Sequence, residues 1–211
     1  MLTITAQNDI DLWKQAFFAV DELDEHHGDP KNYKETSAAL ILQGFNQPHG
    51  IELSVDGFDS VCDYDKYLPE GNKSVAIEID HYNGLLISSR KLQRLQHLLA
   101  SDPYTKKAVL NVWTPDLDVA DPNIPCLVYL WARRISNTLD VNFHMRANDA
   151  YRLLLIDMHI GIAIHQYLAS QLGLEIGEYR HLVDSLHLYS RDREAIQNFK
   201  QKLAIITPQG A

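Results

Sequence analysis

The chain has 211 residues, 45% of them hydrophobic and 22% charged, which is typical of one globular domain with a sizeable core. Its formal net charge of −9 argues against a general nucleic-acid-binding protein, which would present a basic face. The sequence has no signal-peptide pattern and no apolar stretch long enough to span a membrane, so we expect a cytoplasmic protein without a membrane partner. The two cysteines form no disulfide framework, and no Cys/His spacing suits a metal ion.

The first half of the chain mixes helical and strand patterns. Apolar residues at helical spacing predict a helix over residues 9–25, which Gly28-Asp29-Pro30 would end. Strands are predicted at 38–42, 51–55 and 74–79, with an irregular loop over 56–72. A short amphipathic helix over 91–99 and a strand over 107–113 follow, and the loop 115–125 then leads to Cys126.

The second half has clearer periodicity. Two strands, 127–135 and 138–145, are joined by a turn at Ser136-Asn137. A long, largely apolar helix over 149–172 ends at Gly173, and a strand over 178–189 and a helix over 192–203 complete the chain. A helix without a polar face has to be buried against a sheet. The sequence therefore predicts a single α+β domain over residues 1–211, a mixed or antiparallel sheet covered by a long buried helix.

Cys126 and Arg146 flank these two strands and are candidates for a nucleophile and a phosphate-binding residue. A lone cysteine is usually a small buried hydrophobe, but Cys126 follows a Pro-containing loop and precedes a strand, which favours a displayed thiol. Nearby cations such as Arg146 would favour its thiolate. Arg146 ends a strand just before a helix, where the guanidinium and free N–H groups suit a phosphate; the alternative is a surface cation beside Asp149.

Asp157 lies within an apolar run of the long predicted helix. A buried carboxylate is costly unless it is paired, so a structural salt bridge is one interpretation. The other is recognition of a base. Cytosine offers a 4-amino donor and an N3 acceptor, which a carboxyl group can match, whereas uracil is matched by an amide such as that of Asn.

The order Pro125-Cys126, Arg146-Ala147-Asn148-Asp149 and His187-Leu188-Tyr189 resembles the nucleotide site of the thymidylate synthase superfamily. The resemblance covers about residues 90–192 and implies an attack by the cysteine sulfur on C6 of a pyrimidine nucleotide. It implies 5′-phosphate binding by the arginine, seating of the nucleotide by the aspartate, and hydrogen bonds from the histidine and tyrosine to the sugar 3′-hydroxyl. By the same resemblance, Tyr82 lies near the C5 proton, and Glu52 is the candidate for the catalytic glutamate that organises water.

Three departures from the superfamily pattern concern the substrate. Thymidylate-making members carry Asn where this chain has Asp157, and Asp is what distinguishes the cytidylate (CMP or dCMP) 5-hydroxymethylase branch. Ala147 stands where the family has Ser. Lys106 and Lys107 stand where the family has paired arginines, which reach the phosphate bound by the neighbouring subunit of a homodimer. By the resemblance, these replacements favour the ribonucleotide CMP.

The resemblance implies a pyrimidine nucleotide C5-hydroxymethyltransferase that uses 5,10-methylenetetrahydrofolate. In such an enzyme water captures the transferred carbon, whereas a thymidylate synthase delivers hydride from the folate. Two alternatives stay open. One is a divergent thymidylate synthase acting on dUMP, and the other is a non-catalytic nucleotide-binding or dimerisation module of the same fold.

Overall fold

A computed structural model of the chain describes residues 1–25, 31–43, 50–114 and 124–206. The strands and α-helices of these residues follow one another as β1 (Leu2–Ala6), α1 (Asp9–Asp21), β2 (Asn32–Leu42), β3 (Ile51–Ser54), β4 (Gly57–Ser60), α2 (Gly71–Tyr82), α3 (Lys91–Ser101), β5 (Val109–Asn111), β6 (Leu127–Ile135), β7 (Thr138–Asp149), α4 (Leu154–Leu172), β8 (Glu175–Tyr189) and α5 (Arg193–Ile206). A π-helical stretch, Asn83–Ser88, continues α2.

Six strands form a mixed sheet in the order β1-β2-β8-β7-β6-β5, and β3 pairs with β4 in a separate hairpin. Strand β7 is parallel to β8 and antiparallel to β6, while β2 is antiparallel to β8 and parallel to β1. The predicted α+β class, with a mixed sheet and helices, is confirmed.

Helix α4 is almost entirely buried and packs against β7, β8 and α1. Gly161 permits a close approach to β8, because a Cβ at this position would lie 2.1 Å from the Tyr179 hydroxyl oxygen. Gly173 ends the helix with φ 64°, as predicted. The predicted start at residue 149 was wrong. Strand β7 runs on to Asp149, whose Oδ1 accepts from the backbone N–H of Arg152 at 3.1 Å and so shapes the turn before α4.

The strand predicted at residues 74–79 was wrong, because this segment belongs to helix α2. The alternation of Val75, Ile77 and Ile79 imitates a strand, yet Val75 is buried while Ile77 is 57% exposed. Contacts outside the segment decide its structure. The Asn72 backbone N–H donates to Asp65 Oδ1 at 3.0 Å, which fixes the first turn of the helix. Glu78 and Tyr82 therefore share one helix face, four residues apart.

The remaining elements differ from the predictions mainly at their ends. The predicted loop over 56–72 contains β4 and a single 3-10 turn, Tyr64–Lys66. Helix α1 ends at Asp21, and the Gly28-Asp29-Pro30 stop lies outside the described residues, as does 115–123 of the predicted loop. Across the described ranges, no helix combines the length and apolarity that a membrane crossing needs. The same ranges contain no group of three or more His, Cys, Asp or Glu side chains arranged for a metal ion.

Candidate functional site

The start of β6 and the ends of β7 and β8 meet at one edge of the sheet. This follows from the strand directions, since β6 runs antiparallel to β7 and β7 runs parallel to β8. Leu127 pairs with Met145, and Asp149 pairs with His187. Residues that are far apart in sequence are therefore brought together by strand register.

The backbone before Cys126 is anchored by two side chains. The Pro125 carbonyl oxygen accepts from Trp113 Nε1 at 3.1 Å and from Arg146 Nε at 3.4 Å. Arg146 Nη2 also donates to the Ile124 carbonyl at 3.2 Å. The cysteine is half-buried and free. The hydrogen bonds to the two preceding carbonyls hold its backbone next to the Arg146 side chain.

A cavity of about 250 Å³, here called the arginine cavity, opens beside Cys126. Three guanidinium groups, those of Arg146, Arg152 and Arg191, line it. Its other lining residues are Glu70, Ser74, Cys126, Ala147, Asn148, Asp149, Leu153, Asp157, His187 and Tyr189. The cavity thus combines strong anion-binding groups with the thiol and a buried carboxyl group.

Two buried polar atoms that line the arginine cavity have no hydrogen-bond partner among the described residues. They are His187 Nε2 and Asn148 Oδ1. The other ring nitrogen of His187, Nδ1, lies 3.0 Å from the Ser185 carbonyl oxygen, which orients the ring. Buried polar groups normally have partners, so these two atoms indicate a place for a hydroxyl- or amide-bearing ligand.

A second cavity of about 280 Å³, here called the tyrosine cavity, adjoins the first. The two cavities share Cys126, Arg146, Leu153 and Asp157. The tyrosine cavity is otherwise lined by Ile77, Glu78, His81, Tyr82, Ile124, Pro125 and Met145. The thiol and the Asp157 carboxyl lie where the two cavities meet.

Asp157 is 4% exposed, and the Tyr82 hydroxyl donates to its Oδ1 at 2.8 Å. Burial, and then the charge of Glu78, raise the pKa of Asp157 well above its ordinary value of 3.8. Burial and Asp157 likewise raise the pKa of Tyr82. Within the described part of the chain the groups that shift the pKa of Asp157 are Glu78, Tyr82 and Asn148, none of them basic, so the salt-bridge interpretation of this residue has no support there.

The sequence analysis proposed Glu52 as the catalytic glutamate, and the structure offers Glu78 as a second candidate. Glu52 is exposed on β3 and lines neither cavity. Glu78, by contrast, is half-buried in the tyrosine cavity, and burial raises its pKa. Its four-residue spacing to Tyr82 would have been informative had the segment been recognised as a helix.

Burial raises the pKa of the Cys126 thiol, Asp157 raises it further, and Arg146 opposes the change. Arg146 therefore favours the thiolate, as the sequence analysis expected, but burial outweighs it in the free protein. Because Asp157 itself favours its neutral form, its carboxyl carries little charge against the thiolate in that state. The site is consistent with a neutral thiol before substrate arrives.

The other predicted residues fall into two groups. Ala147, Asp149, His187 and Tyr189 line the arginine cavity, as expected. Lys106 and Lys107 do not: both are exposed between α3 and β5 and line neither cavity of their own chain.

Arg152 and Arg191 were missed as well. Arg152 is bound on both sides, to Glu70 and to Asp192, and so links the start of α2 to the end of β8. The Arg191 guanidinium lies 4.2 Å from the centre of the Tyr189 ring. His187, Tyr189 and Arg191 are spaced two residues apart, a strand periodicity that could have revealed the arginine.

A larger cavity, about 600 Å³, lies on the opposite face of α2 and is lined in part by Cys62, Asp59 and Asp63. Burial raises the pKa of the Cys62 thiol. This cavity has no arginine or lysine in its lining and shares no residue with the arginine or tyrosine cavity. The chemistry-bearing groups therefore point to the two cavities around Cys126.

Comparisons with known proteins give relatives at low sequence identity. A protein from Methanocaldococcus jannaschii named "Putative thymidylate synthase" is 26% identical over 156 residues, covering 68% of this chain and 69% of that protein. A Bacillus phage SP01 "Deoxyuridylate hydroxymethyltransferase" is 26% identical over 164 residues, covering 72% of this chain and 39% of the phage protein. A Streptococcus pneumoniae "Thymidylate synthase" is 21% identical over 148 residues, covering 62% of this chain and 52% of that protein.

The chain thus spans about half or less of the length of two of these relatives. A protein-family comparison matches residues 75–208 to the family described as Thymidylate synthase. That match begins within α2 and includes Glu78, Tyr82, Cys126, Asp157 and the ends of β7 and β8. It covers well over half of the sequence, and the chain belongs to the thymidylate synthase family.

Proposed function

We propose that the chain is a pyrimidine nucleotide C5-hydroxymethyltransferase whose substrate is a cytidylate, CMP in preference to dCMP. The observation that carries the proposal is the buried carboxyl of Asp157 where the two cavities meet beside Cys126. A carboxylic acid offers one acceptor oxygen and one O–H donor, which match the 4-amino group and N3 of cytosine. The raised pKa of Asp157 supports the protonated form that this pairing needs.

The arginine cavity suits the rest of a nucleoside monophosphate. Arg146 provides a two-pronged donor for a phosphate, and Arg191 adds a second guanidinium in the same lining. The unpartnered Nε2 of His187 is available for a sugar hydroxyl. Ala147 replaces a hydroxyl side chain with a methyl group in this lining, which leaves room for a 2′-hydroxyl and supports CMP over dCMP.

The chain's own groups account for the chemistry at the base. Cys126 Sγ forms a bond to C6 of the pyrimidine, which makes C5 nucleophilic. Glu78 lies in the same cavity as the thiol, and its raised pKa suits a group that exchanges protons near neutral pH. Tyr82, which the sequence analysis placed near the C5 proton, donates its hydroxyl to Asp157.

Members of the family use methylenetetrahydrofolate, which supplies the one-carbon unit. The tyrosine cavity has a lining that fits a flat heteroaromatic ring system. Its apolar side chains, Ile77, Ile124, Pro125, Met145 and Leu153, would hold the ring faces, and Glu78 and His81 would accept or donate at the ring edge. Loss of the C5 proton would release tetrahydrofolate, and water adding to the transferred carbon would complete the hydroxymethyl group. Departure of Cys126 from C6 would then restore the C5–C6 double bond.

The proposed enzyme is a homodimer in which Lys106 and Lys107 reach the phosphate bound by the partner subunit. Both lysines are exposed and line neither cavity of their own chain, which supports a role across an interface. The sheet face opposite α4 carries the half-buried Tyr129 and Trp131 beside His144, an aromatic surface suited to a second copy. Sedimentation should give twice the mass of 24.1 kDa. Mixing inactive Cys126→Ala and Lys107→Ala chains should restore activity in the heterodimers.

A second candidate is a transferase acting on a uracil nucleotide, and the names of the relatives favour it. The phage relative is named for deoxyuridylate, and two others are named as thymidylate synthases. An Asp157 carboxyl with its proton on the opposite oxygen would match the O4 acceptor and N3–H donor of uracil. The experiment must therefore compare both bases.

The test is tritium release from C5-labelled CMP, dCMP and dUMP, with and without methylenetetrahydrofolate, followed by chromatography of the nucleotide product. Folate-dependent release from CMP with a 5-hydroxymethyl product supports the proposal. Release from dUMP alone favours the second candidate. Nucleotide binding without release from any substrate would leave only the non-catalytic module.

A further inference from the structure

The carboxyl of Asp157 is held from the protein side by a tyrosine. The Tyr82 hydroxyl donates to Oδ1 at 2.8 Å, and Tyr82 is itself 2% exposed. Tyr82 is further fixed by aromatic contacts, with ring centres 6.4 Å from Phe58 and 6.3 Å from Phe143. Its hydroxyl therefore has little freedom to leave Oδ1.

A neutral carboxyl group can read either pyrimidine, because its proton can reside on either oxygen. Cytosine needs an acceptor opposite its 4-amino group and an O–H donor opposite N3. Uracil needs the reverse, a donor opposite O4 and an acceptor opposite N3–H. An aspartic acid whose proton moves freely between its oxygens would therefore distinguish the two bases poorly.

We propose that Tyr82 determines the nucleobase specificity of this site by fixing which oxygen of Asp157 carries the proton. A tyrosine that donates to Oδ1 keeps that oxygen an acceptor, so the carboxyl proton stays on Oδ2. Oδ1 retains a second lone pair for a donor on the base. The inference rests on the proposed function, in which Oδ1 of Asp157 faces the exocyclic position of the base and the favoured base is cytosine.

The surroundings of the carboxyl support a single proton held in place. Glu78, on the same face of α2 as Tyr82, discourages ionisation of Asp157, whose pKa burial and this charge both raise. Hydrogen bonds from Tyr82 and Asn148 lower the pKa of Asp157, but burial and Glu78 outweigh them. Tyr82 is thus a positioning residue: it acts on the base through Asp157.

The test is isothermal titration of the full-length chain with CMP and with UMP, for the wild type and for Tyr82→Phe. The wild type should bind CMP more tightly than UMP. In Tyr82→Phe the ratio of the dissociation constant for UMP to that for CMP should fall by about tenfold, because the carboxyl proton can then move to the oxygen that pairs with uracil. Equal changes in both dissociation constants would overturn the inference, because a structural defect weakens both ligands alike.

Tyr64→Phe is the matched control. It removes a tyrosine hydroxyl of similar burial, one that hydrogen-bonds to His159 Nδ1 at 2.5 Å and lines neither cavity around Cys126. This variant should keep the wild-type ratio of CMP to UMP binding. A control that lost the preference as fully as Tyr82→Phe would show that any buried tyrosine contributes, which contradicts a specific role for Tyr82.

A double-mutant cycle separates an effect that acts through Asp157 from a general structural effect of Tyr82→Phe. Asp157→Ala leaves no carboxyl group to orient, so adding Tyr82→Phe to it should change CMP and UMP binding by the same factor. A further change of preference in that background would contradict the inference. The two proposals fail separately: a wild-type preference for UMP that Tyr82→Phe abolishes contradicts the cytidylate function but supports the role of Tyr82.

Discussion

The backbone N–H of Arg146 donates to the carbonyl oxygen of Cys126 at 2.9 Å. This bond places the proposed nucleophile, just before β6, beside the proposed phosphate ligand on β7. Because it is a main-chain bond, it does not depend on the side chain of Cys126. Variants of Cys126 can therefore report on chemistry with little change to the framework, whereas variants of Arg146 also lose its bonds to the Pro125 and Ile124 carbonyls.

Arg146→Lys should raise the dissociation constant for CMP about ten- to a hundredfold, because lysine keeps the charge but loses the two-pronged donor geometry. Titration calorimetry at constant ionic strength measures it. Arg133→Lys, at an exposed position on β6, is the matched control and should bind CMP as the wild type does. Unchanged affinity in Arg146→Lys would exclude a bidentate phosphate contact.

Cys126→Ala should abolish folate-dependent tritium release while CMP binding stays within about threefold of the wild type, because no hydrogen bond of the cavity depends on the thiol. The other free cysteine provides the control. Cys62 lines a cavity on the far face of α2, so Cys62→Ala should retain full activity. Residual release in Cys126→Ala would assign the nucleophile elsewhere.

Asp157→Asn combined with Tyr82→Phe should remove the preference of the site for cytidylate. Without the tyrosine donor the amide is free to turn, so that its nitrogen and oxygen also match O4 and N3–H of uracil. We expect the ratio of kcat/KM for CMP over the uracil nucleotide to fall by a factor of about a hundred. Asp80→Asn, an exposed change on α2, should leave the ratio unaltered.

The stability of the protein should depend on pH through Asp157. Its pKa is raised on folding from an ordinary value of 3.8, so above ~pH 4 the folded state binds more protons than the unfolded state. The free energy of unfolding therefore decreases as pH rises from about 4 towards the folded pKa, by at most about 1.4 kcal/mol per pH unit. Asp157→Asn lacks this proton, and its stability relative to the wild type should increase over that window in denaturant titrations. Parallel curves for the two proteins would contradict the raised pKa.

Gly161→Ala should destabilise the fold by about 1–3 kcal/mol, because the added Cβ would lie 2.1 Å from the buried Tyr179 hydroxyl. Thermal or denaturant unfolding measures the effect. Gly84→Ala is the matched control, since a Cβ there meets no atom within 4 Å. Equal stability of the two variants would show that α4 and β8 are less closely packed than the contact indicates.

The sequence predicted the half of the fold that has regular periodicity. Strands β6 and β7 alternate cleanly, and α4 is apolar enough to require burial against a sheet. The segment 74–79 shows why the other half was harder. Its apolar residues alternate as in a strand, and only contacts from Asp65 and the surrounding core select a helix.

That error in secondary structure also explains why Glu78 was not considered as a candidate. In a strand, Glu78 and Tyr82 would lie far apart along an extended segment. In helix α2 they lie about one turn apart, and Tyr82 contacts Asp157. Glu52 was chosen because its place in the chain order suited the family, and it is exposed on β3. Cys126, Arg146, Asp157 and His187 were identifiable because their local sequences carry the family pattern. Arg152 and Arg191 carry no such pattern.

The parallel register of β7 and β8 pairs Asp149 with His187. This pairing restricts where residues can be inserted into or deleted from the chain. The side of a strand on which a residue lies alternates, so inserting or deleting one codon within β8 would turn His187 and Tyr189 away from the arginine cavity. Helix α4 and its flanking turns connect the two strands and can absorb length changes at Gly173 without altering that pairing. Natural insertions and deletions among the relatives should therefore fall at the ends of α4, and the strands should keep their length.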